Sequence, residues 1–112
     1  PWDWGKAFDN SAPISPLIPL ADIPNAHAEF TTGRIWLSVN GELRQDADLS
    51  ELIWSVKDII AFCSQSVSLQ AGDLIFTGTP AGVSAVGPGD CLSGGVDGVG
   101  EIQITLSKRE AV

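Results

Sequence analysis

The sequence predicts a mainly β chain of the α+β class with one short helical segment. Three observations lead there. Asn40-Gly41 and Asp97-Gly98 each lie between runs with strand character, the arrangement a β-hairpin needs. Only one stretch, from Leu52 to Cys63, spaces its apolar residues as a helix does. The 12 Gly and 7 Pro among 112 residues exceed a usual combined share of ~12%, which suits a turn-rich β protein.

At 112 residues the chain predicts a single domain, residues 1–112. With 44% hydrophobic and 18% charged residues, it can bury a core and is not a disordered tail. Six Lys and Arg against 14 Asp and Glu leave a formal charge of −8. Such a surface repels phosphate, so neither nucleic acid nor an anionic membrane is expected as a partner. No apolar run approaches the ~20 residues needed to span a bilayer. The chain has no Met, which predicts that it begins downstream of a translation start, and no signal or transit segment is visible.

Taken in order, residues 1–16 place Trp2, Trp4 and Phe8 around Lys6 and then run into Pro13 and Pro16. The prolines predict extended or irregular backbone. Leu17 to Ile23, interrupted by Pro19, reads as a short edge strand. His27 falls in a loop and reads as solvated. Arg34–Val39, Asn40-Gly41 and Glu42–Gln45 form a predicted hairpin, since a type I′ turn needs φ > 0 at both central residues. Asp48 with Glu51, and Ser55 with Asp58, have the spacing of N-caps, so the helix that follows can come in two pieces, ending near Ser64 to Ser68. Leu69–Asp73 reads as a turn and Leu74–Thr77 as a short buried strand. Gly78-Thr79-Pro80-Ala81-Gly82 is a permissive loop, Pro88-Gly89-Asp90 a turn, and Cys91–Val96 a strand. Val99–Ser107 alternates, with Ile102, Ile104 and Leu106 on one face.

Several chemistries fail on spacing. Gly5-Lys6 lacks the upstream glycine of a phosphate loop and is followed by Ala7. Gly94, Gly95, Gly98 and Gly100 do not form G-x-G-x-x-G before a helix. A calcium loop starting at Asp46 would need Gly where Glu51 stands. Cys63 and Cys91 belong to no C-x-x-C pair and read as reduced, small hydrophobes. Two segments remain. Lys6, ringed by aromatics, can offer a poorly solvated ammonium to an anion, or simply lay its stem on those rings. Gly78 and Thr79 at a strand end can present backbone N–H and a hydroxyl to a carboxylate or developing oxyanion, or form an ordinary strand-to-turn transition.

These two segments, in this order, resemble the fumarylacetoacetate hydrolase family. Gly5-Lys6-Ala7-Phe8-Asp9 is similar to its G-K-[GAS]-[FY]-[DG] motif. Leu37–Glu42 is similar to its L-x-V-N-G-E hairpin, and Gly72–Val83 to its G-D-x-I-x-T-G-T-P-x-G-V stretch. Val96–Gly100 resembles its closing I-x-G-[IV]-G turn. Pro1-Trp2-Asp3, Ser11–Ile14 and Leu52–Val56 look most like the bacterial fumarylpyruvate hydrolases within that family.

The resemblance implies the family's mixed β-sandwich or β-roll, of which this chain is the C-terminal portion of the catalytic domain. It implies a metal-dependent hydrolase of C–C bonds in acylpyruvates, with fumarylpyruvate as substrate. An oxaloacetate decarboxylase or a hydroxymuconate-type isomerase of the same family is the alternative, as is an inert binding or dimerisation module. Lys6 is the implied catalytic and substrate-binding lysine, and Gly78 and Thr79 the substrate-binding pair. The family's Mg²⁺ or Mn²⁺ ligands and its His-Glu pair lie upstream of the lysine motif, so no metal ligand is expected in this chain. The implied partners are a small anionic diketo acid and either a second copy or the missing N-terminal half. Such catabolism and free cysteines fit a cytoplasm.

Overall fold

In the computed structural model, residues 2–25 and 27–108 are described, and for Trp2 the backbone alone. Their framework is one antiparallel sheet of four strands: β1 (Arg34–Val39), β2 (Glu42–Asp48), β3 (Cys91–Val96) and β4 (Gly100–Thr105), in the order β2-β1-β3-β4. Helix α1 (Trp2–Lys6) precedes the sheet, and helix α2 (Val56–Ser66) lies between β2 and β3. No helix among the described residues is long and apolar enough to cross a membrane.

The first hairpin forms as its turn chemistry dictates. Asn40 and Gly41 take φ of 51° and 82°, the left-handed pair a type I′ turn requires. Asn40 also ties the hairpin to β3. Its amide Nδ2 donates to Asp90 Oδ1 at 2.9 Å and its Oδ1 accepts from the Cys91 N–H at 2.9 Å. Asp90 in turn closes the Gly87–Asp90 turn by accepting from the Gly87 N–H at 2.8 Å. These bonds, the Gly87 N–H first, hold the Asp90 carboxyl below the usual carboxylate range. β3 and β4 are joined across Gly98, whose φ is 75°. Along β4, Ile102 and Ile104 turn inward while Glu101, Gln103 and Thr105 are exposed, as the alternation predicts.

Both predicted caps form, and they split the helical segment in two. The Asp48 side chain accepts from the Ser50 N–H at 2.9 Å and starts a single 3₁₀ turn, Leu49–Glu51. The Ser55 hydroxyl accepts from the Asp58 N–H at 3.1 Å and starts α2. Trp54, in the link, meets Phe62 of α2 edge to face at 5.4 Å.

Four expectations are corrected. Residues 2–6 are helical rather than extended, because the helix-breaking prolines begin only at Pro13 and the Ala7 N–H can reach the Asp3 carbonyl at 2.7 Å. Leu17–Ile23 is no strand: Pro19 lacks an N–H for a ladder, and its carbonyl instead starts a 3₁₀ turn, Leu20–Asp22. Leu74–Thr77 belongs to no ladder among the described residues, and Phe76 is 71% exposed rather than buried. Its apolar run specifies extended backbone, but a strand also needs a neighbour to bond with. His27 is half-buried rather than solvated, because Gly98 has no side chain to hold the imidazole off; a Cβ there would overlap the ring. Trp4 is 82% and Phe8 61% exposed, so of the two readings of Lys6 the one that needs these two rings packed in a dry cluster is not met.

Among the described residues, Ile23 and Val39 are the only buried large apolar residues, and no side chain is fully enclosed. The radius of gyration is 15.6 Å, against ~13 Å for a compact chain of this length. Arg34 and Asp46 form a bidentate pair at 2.8 and 3.2 Å. The pair raises the arginine and lowers the carboxyl, but at this exposure it adds little stability. Both cysteines are free thiols.

One irregularity in the sheet matters later. Leu37 pairs with Gln45, but Ser38 pairs with Leu43, so Arg44 is an extra residue, a β-bulge in β2. Gly82 sits against that bulge with φ of 104°, and a Cβ on it would overlap the Arg44 carbonyl oxygen. Gly82→Ala should therefore cost at least about 1–2 kcal/mol from its backbone conformation alone. Gly87→Ala, with open space around its Cβ position, should be near neutral; equal melting temperatures for the two variants would contradict the packing. Asp90 gives a pH prediction. Its lowered folded pKa contributes stability above the unfolded carboxylate value near ~3.9 that is lost as pH falls through the lower folded value. Asp90→Asn should flatten the loss of melting temperature below about pH 4, and an unchanged acid limb would count against it.

Candidate functional site

The bulge turns the polar side chain of Gln45 onto the same sheet face as Leu37. From there the ladder continues to Gly94 on β3 and Ile102 on β4, a row running across all four strands. Ile35 and Val96 pair beside it. This row is the floor of an open cleft of about 370 Å³. Gly94 keeps the floor low: a Cβ there would meet Leu37 Cδ1 and the Trp36 carbonyl at 3.2 Å. Gly78, Thr79 and Pro80 form one wall, and Ser15 and Ile18 stand on the other side. An apolar floor with a few placed polar groups is the usual make-up of a small-molecule site.

The wall belongs to a loop without a ladder, and side chains from the bulge dock it. Gln45 Nε2 donates to Thr79 Oγ1 at 2.8 Å and to the Pro80 carbonyl at 2.7 Å. Arg44 Nη1 donates to Ser84 Oγ at 2.8 Å. Gln45 is the one buried polar residue among the described residues, at 9% exposure, while Thr79 is exposed. Gly78 adopts φ of 99°, which opens the backbone ahead of Thr79 to close approach.

Of the residues singled out from sequence, Gly78 and Thr79 line the cleft together. Lys6 ends α1, exposed and outside the cleft lining. His27, Cys63 and Cys91 also lie outside it. Gln45 and Arg44 are the residues that sequence reasoning missed. Both read as ordinary strand polars, and the only hint was a glutamine set in a β-rich run. Among the described residues, no group of three or more His, Cys, Asp or Glu side chains could hold a metal ion. A divalent cation therefore does not fit on these residues alone.

Comparison with known proteins places this arrangement. The family model for the fumarylacetoacetate (FAA) hydrolase C-terminal region matches residues 1–107. Over 110 residues, the chain is 43% identical to the mitochondrial oxaloacetate tautomerase of Rattus norvegicus, covering 98% of this chain and 48% of that protein. It is 41% identical over 110 residues to the fumarylpyruvate hydrolase of Ralstonia sp., covering 98% of this chain and 55% of that protein. The chain thus spans about half the length of the curated relatives it matches. Among solved structures, the Pseudomonas aeruginosa fumarylpyruvate hydrolase in complex with Mn²⁺ and pyruvate superimposes with a TM-score of 0.87 at 43% identity, over 97% of this chain and 45% of that one. The chain thus shares its overall fold with a fumarylpyruvate hydrolase, and it belongs to the fumarylacetoacetate hydrolase family.

Proposed function

We propose that the chain supplies the later half of the catalytic domain of an enzyme acting on acylpyruvates, with hydrolysis of fumarylpyruvate to fumarate and pyruvate as its reaction. One observation carries the reading. A relative of the same fold, 43% identical, binds Mn²⁺ and pyruvate, and this chain carries an open cleft walled by Gly78 and Thr79. Pyruvate is the part of an acylpyruvate that every such substrate shares.

The reaction makes clear what these residues have to do. Water adds to the fumaryl carbonyl carbon, and the bond from that carbon to the pyruvyl methylene breaks. The electron pair leaves on the pyruvyl side as an enolate, which takes a proton at carbon. The water oxygen ends in the new carboxylate of fumarate. Negative charge is therefore present on the pyruvyl carboxylate throughout and grows on the adjacent oxygen. The Thr79 hydroxyl and the N–H groups of the Gly78-Thr79 turn are the donors assigned to that charge; Lys6, which lies outside the cleft lining, is assigned as the cation on the motif Gly5–Asp9 alone. A local cation matters in a chain of formal charge −8, whose field opposes a dianion's approach.

Use of Mg²⁺ or Mn²⁺ is part of the proposal for the complete protein, supported by the Mn²⁺ complex of the relative. The residues described do not form its site, and no step is assigned to the metal through them. The large apolar side chains exposed on this chain, Ile53, Leu17 and Phe76 among them, favour association with the missing half or a second copy.

A second reading is oxaloacetate tautomerisation, favoured by the 43% identity to the rat enzyme. It needs the same carboxylate and enolate donors and moves a proton between carbon and oxygen, with no C–C cleavage. A substrate panel separates the two: the complete protein with divalent metal should cleave fumarylpyruvate, and interconversion of oxaloacetate tautomers alone would establish the second reading. Lys6→Ala should lower turnover of the preferred substrate about 10²–10³-fold. Turnover within a few-fold of the parent would overturn the role given to Lys6.

A further inference from the structure

We propose that Gln45 is a positioning residue that fixes the Thr79 hydroxyl as a hydrogen-bond donor toward the cleft. The proposal rests on the reading that Thr79 receives a 2-oxo acid.

The argument starts from the Pro80 carbonyl, which can only accept. An amide group 2.7 Å from it must present nitrogen, so the orientation of the Gln45 amide is settled by chemistry. The same Nε2 lies 2.8 Å from Thr79 Oγ1. An amide nitrogen donates and does not accept, so the hydroxyl is the acceptor in this bond. One lone pair of Oγ1 is thereby taken, and the hydroxyl proton is left to point elsewhere. Its exposed side is the cleft, where Gly78, Thr79 and Pro80 form the wall. A hydroxyl held this way is a donor looking for an acceptor, and a carboxylate or enolate oxygen is one. Donation from the amide also polarises the O–H bond and strengthens the hydrogen bond it can give.

Burial makes the device firm. Gln45 is 9% exposed, so water competes poorly for its amide protons, and both are spent on the loop. The bulge at Arg44 puts it there: with regular pairing, the side chain would alternate to the opposite face. Arg44 to Ser84 and the close seat of Gly82 hold the far end of the loop. Loop attachment thus has anchors besides Gln45, while the Thr79 hydroxyl has Gln45 as its partner.

A merely structural Gln45 and one acting through Thr79 make different predictions. Pyruvate is titrated into the complete Mn²⁺-loaded protein, and its affinity is compared for the parent, Gln45→Leu, Thr79→Val and the double variant. Each single change should weaken pyruvate about 10- to 100-fold, the cost of one hydrogen bond to a charged group. The double variant should be no weaker than Thr79→Val alone, since there is then no hydroxyl to orient. Losses that multiply would overturn the proposal and leave the substrate reading standing. Parent-like affinity in Thr79→Val, or no pyruvate binding by the parent, would overturn the substrate reading and the proposal with it.

Gln45→Glu supplies a second measurement in case the leucine variant fails to fold. Its carboxylate can only accept, so it draws the Thr79 proton inward and faces the Pro80 carbonyl without a proton to give. Pyruvate binding relative to the parent should be weak at neutral pH and recover as the new carboxyl is protonated. A flat ratio across pH 5–8 would contradict the proposed polarity.

Discussion

Two protons on one buried amide tie the Thr79–Pro80 wall of the cleft to the sheet. Gln45 Nε2 gives one to the Pro80 carbonyl and one to the Thr79 hydroxyl, and the loop they hold has no strand ladder of its own. A segment rich in glycine and proline needs such ties, and Arg44 to Ser84 and the seat of Gly82 add to them farther along. The sheet provides rigidity and the loop provides the chemical groups, which is the usual division between scaffold and site. The bulge at Arg44 is the joint between them, since it sets both the facing of Gln45 and the bed for Gly82.

The same economy appears elsewhere in the sheet. Asn40 is required by the turn for its left-handed backbone, yet its side chain bonds both Asp90 and the Cys91 N–H, so one residue closes a hairpin and registers the next strand. Gly94 keeps the cleft floor open, and Gly98 admits the His27 ring. In each place a missing or short side chain does the work. The conspicuous ion pair, Arg34 with Asp46, is exposed and contributes less than its geometry suggests.

How far the sequence could be read depended on whether a feature was local. Asn40-Gly41, Asp97-Gly98 and the Asp48 and Ser55 caps are set by residues within a few positions of one another, and each formed. Val99–Ser107 alternates because its neighbour, β3, is in the chain. Leu74–Thr77 has equal strand character but no partner among the described residues, so its periodicity did not become a ladder. The candidate site divides the same way. Gly78 and Thr79 were legible from a distinctive stretch of sequence. Gln45 was not, because its role comes from one bulged residue and a contact 34 positions away. Lys6 had two readings from sequence, and the packed one is not met, because aromatic neighbours in sequence, Trp4 and Phe8, need not pack.

The proposed chemistry asks little of this chain beyond well-aimed donors. An acylpyruvate and oxaloacetate share a 2-oxo acid that passes through an enolate, and a hydroxyl held with its proton outward serves either. The most direct measurement is a crystal structure of the complete protein with Mn²⁺ and pyruvate. A pyruvate oxygen within about 2.5–3.0 Å of Thr79 Oγ1, with Gln45 Nε2 still on its inner side, is the predicted result. Pyruvate bound away from Thr79, or a Gln45 amide turned away from the loop, would contradict the account.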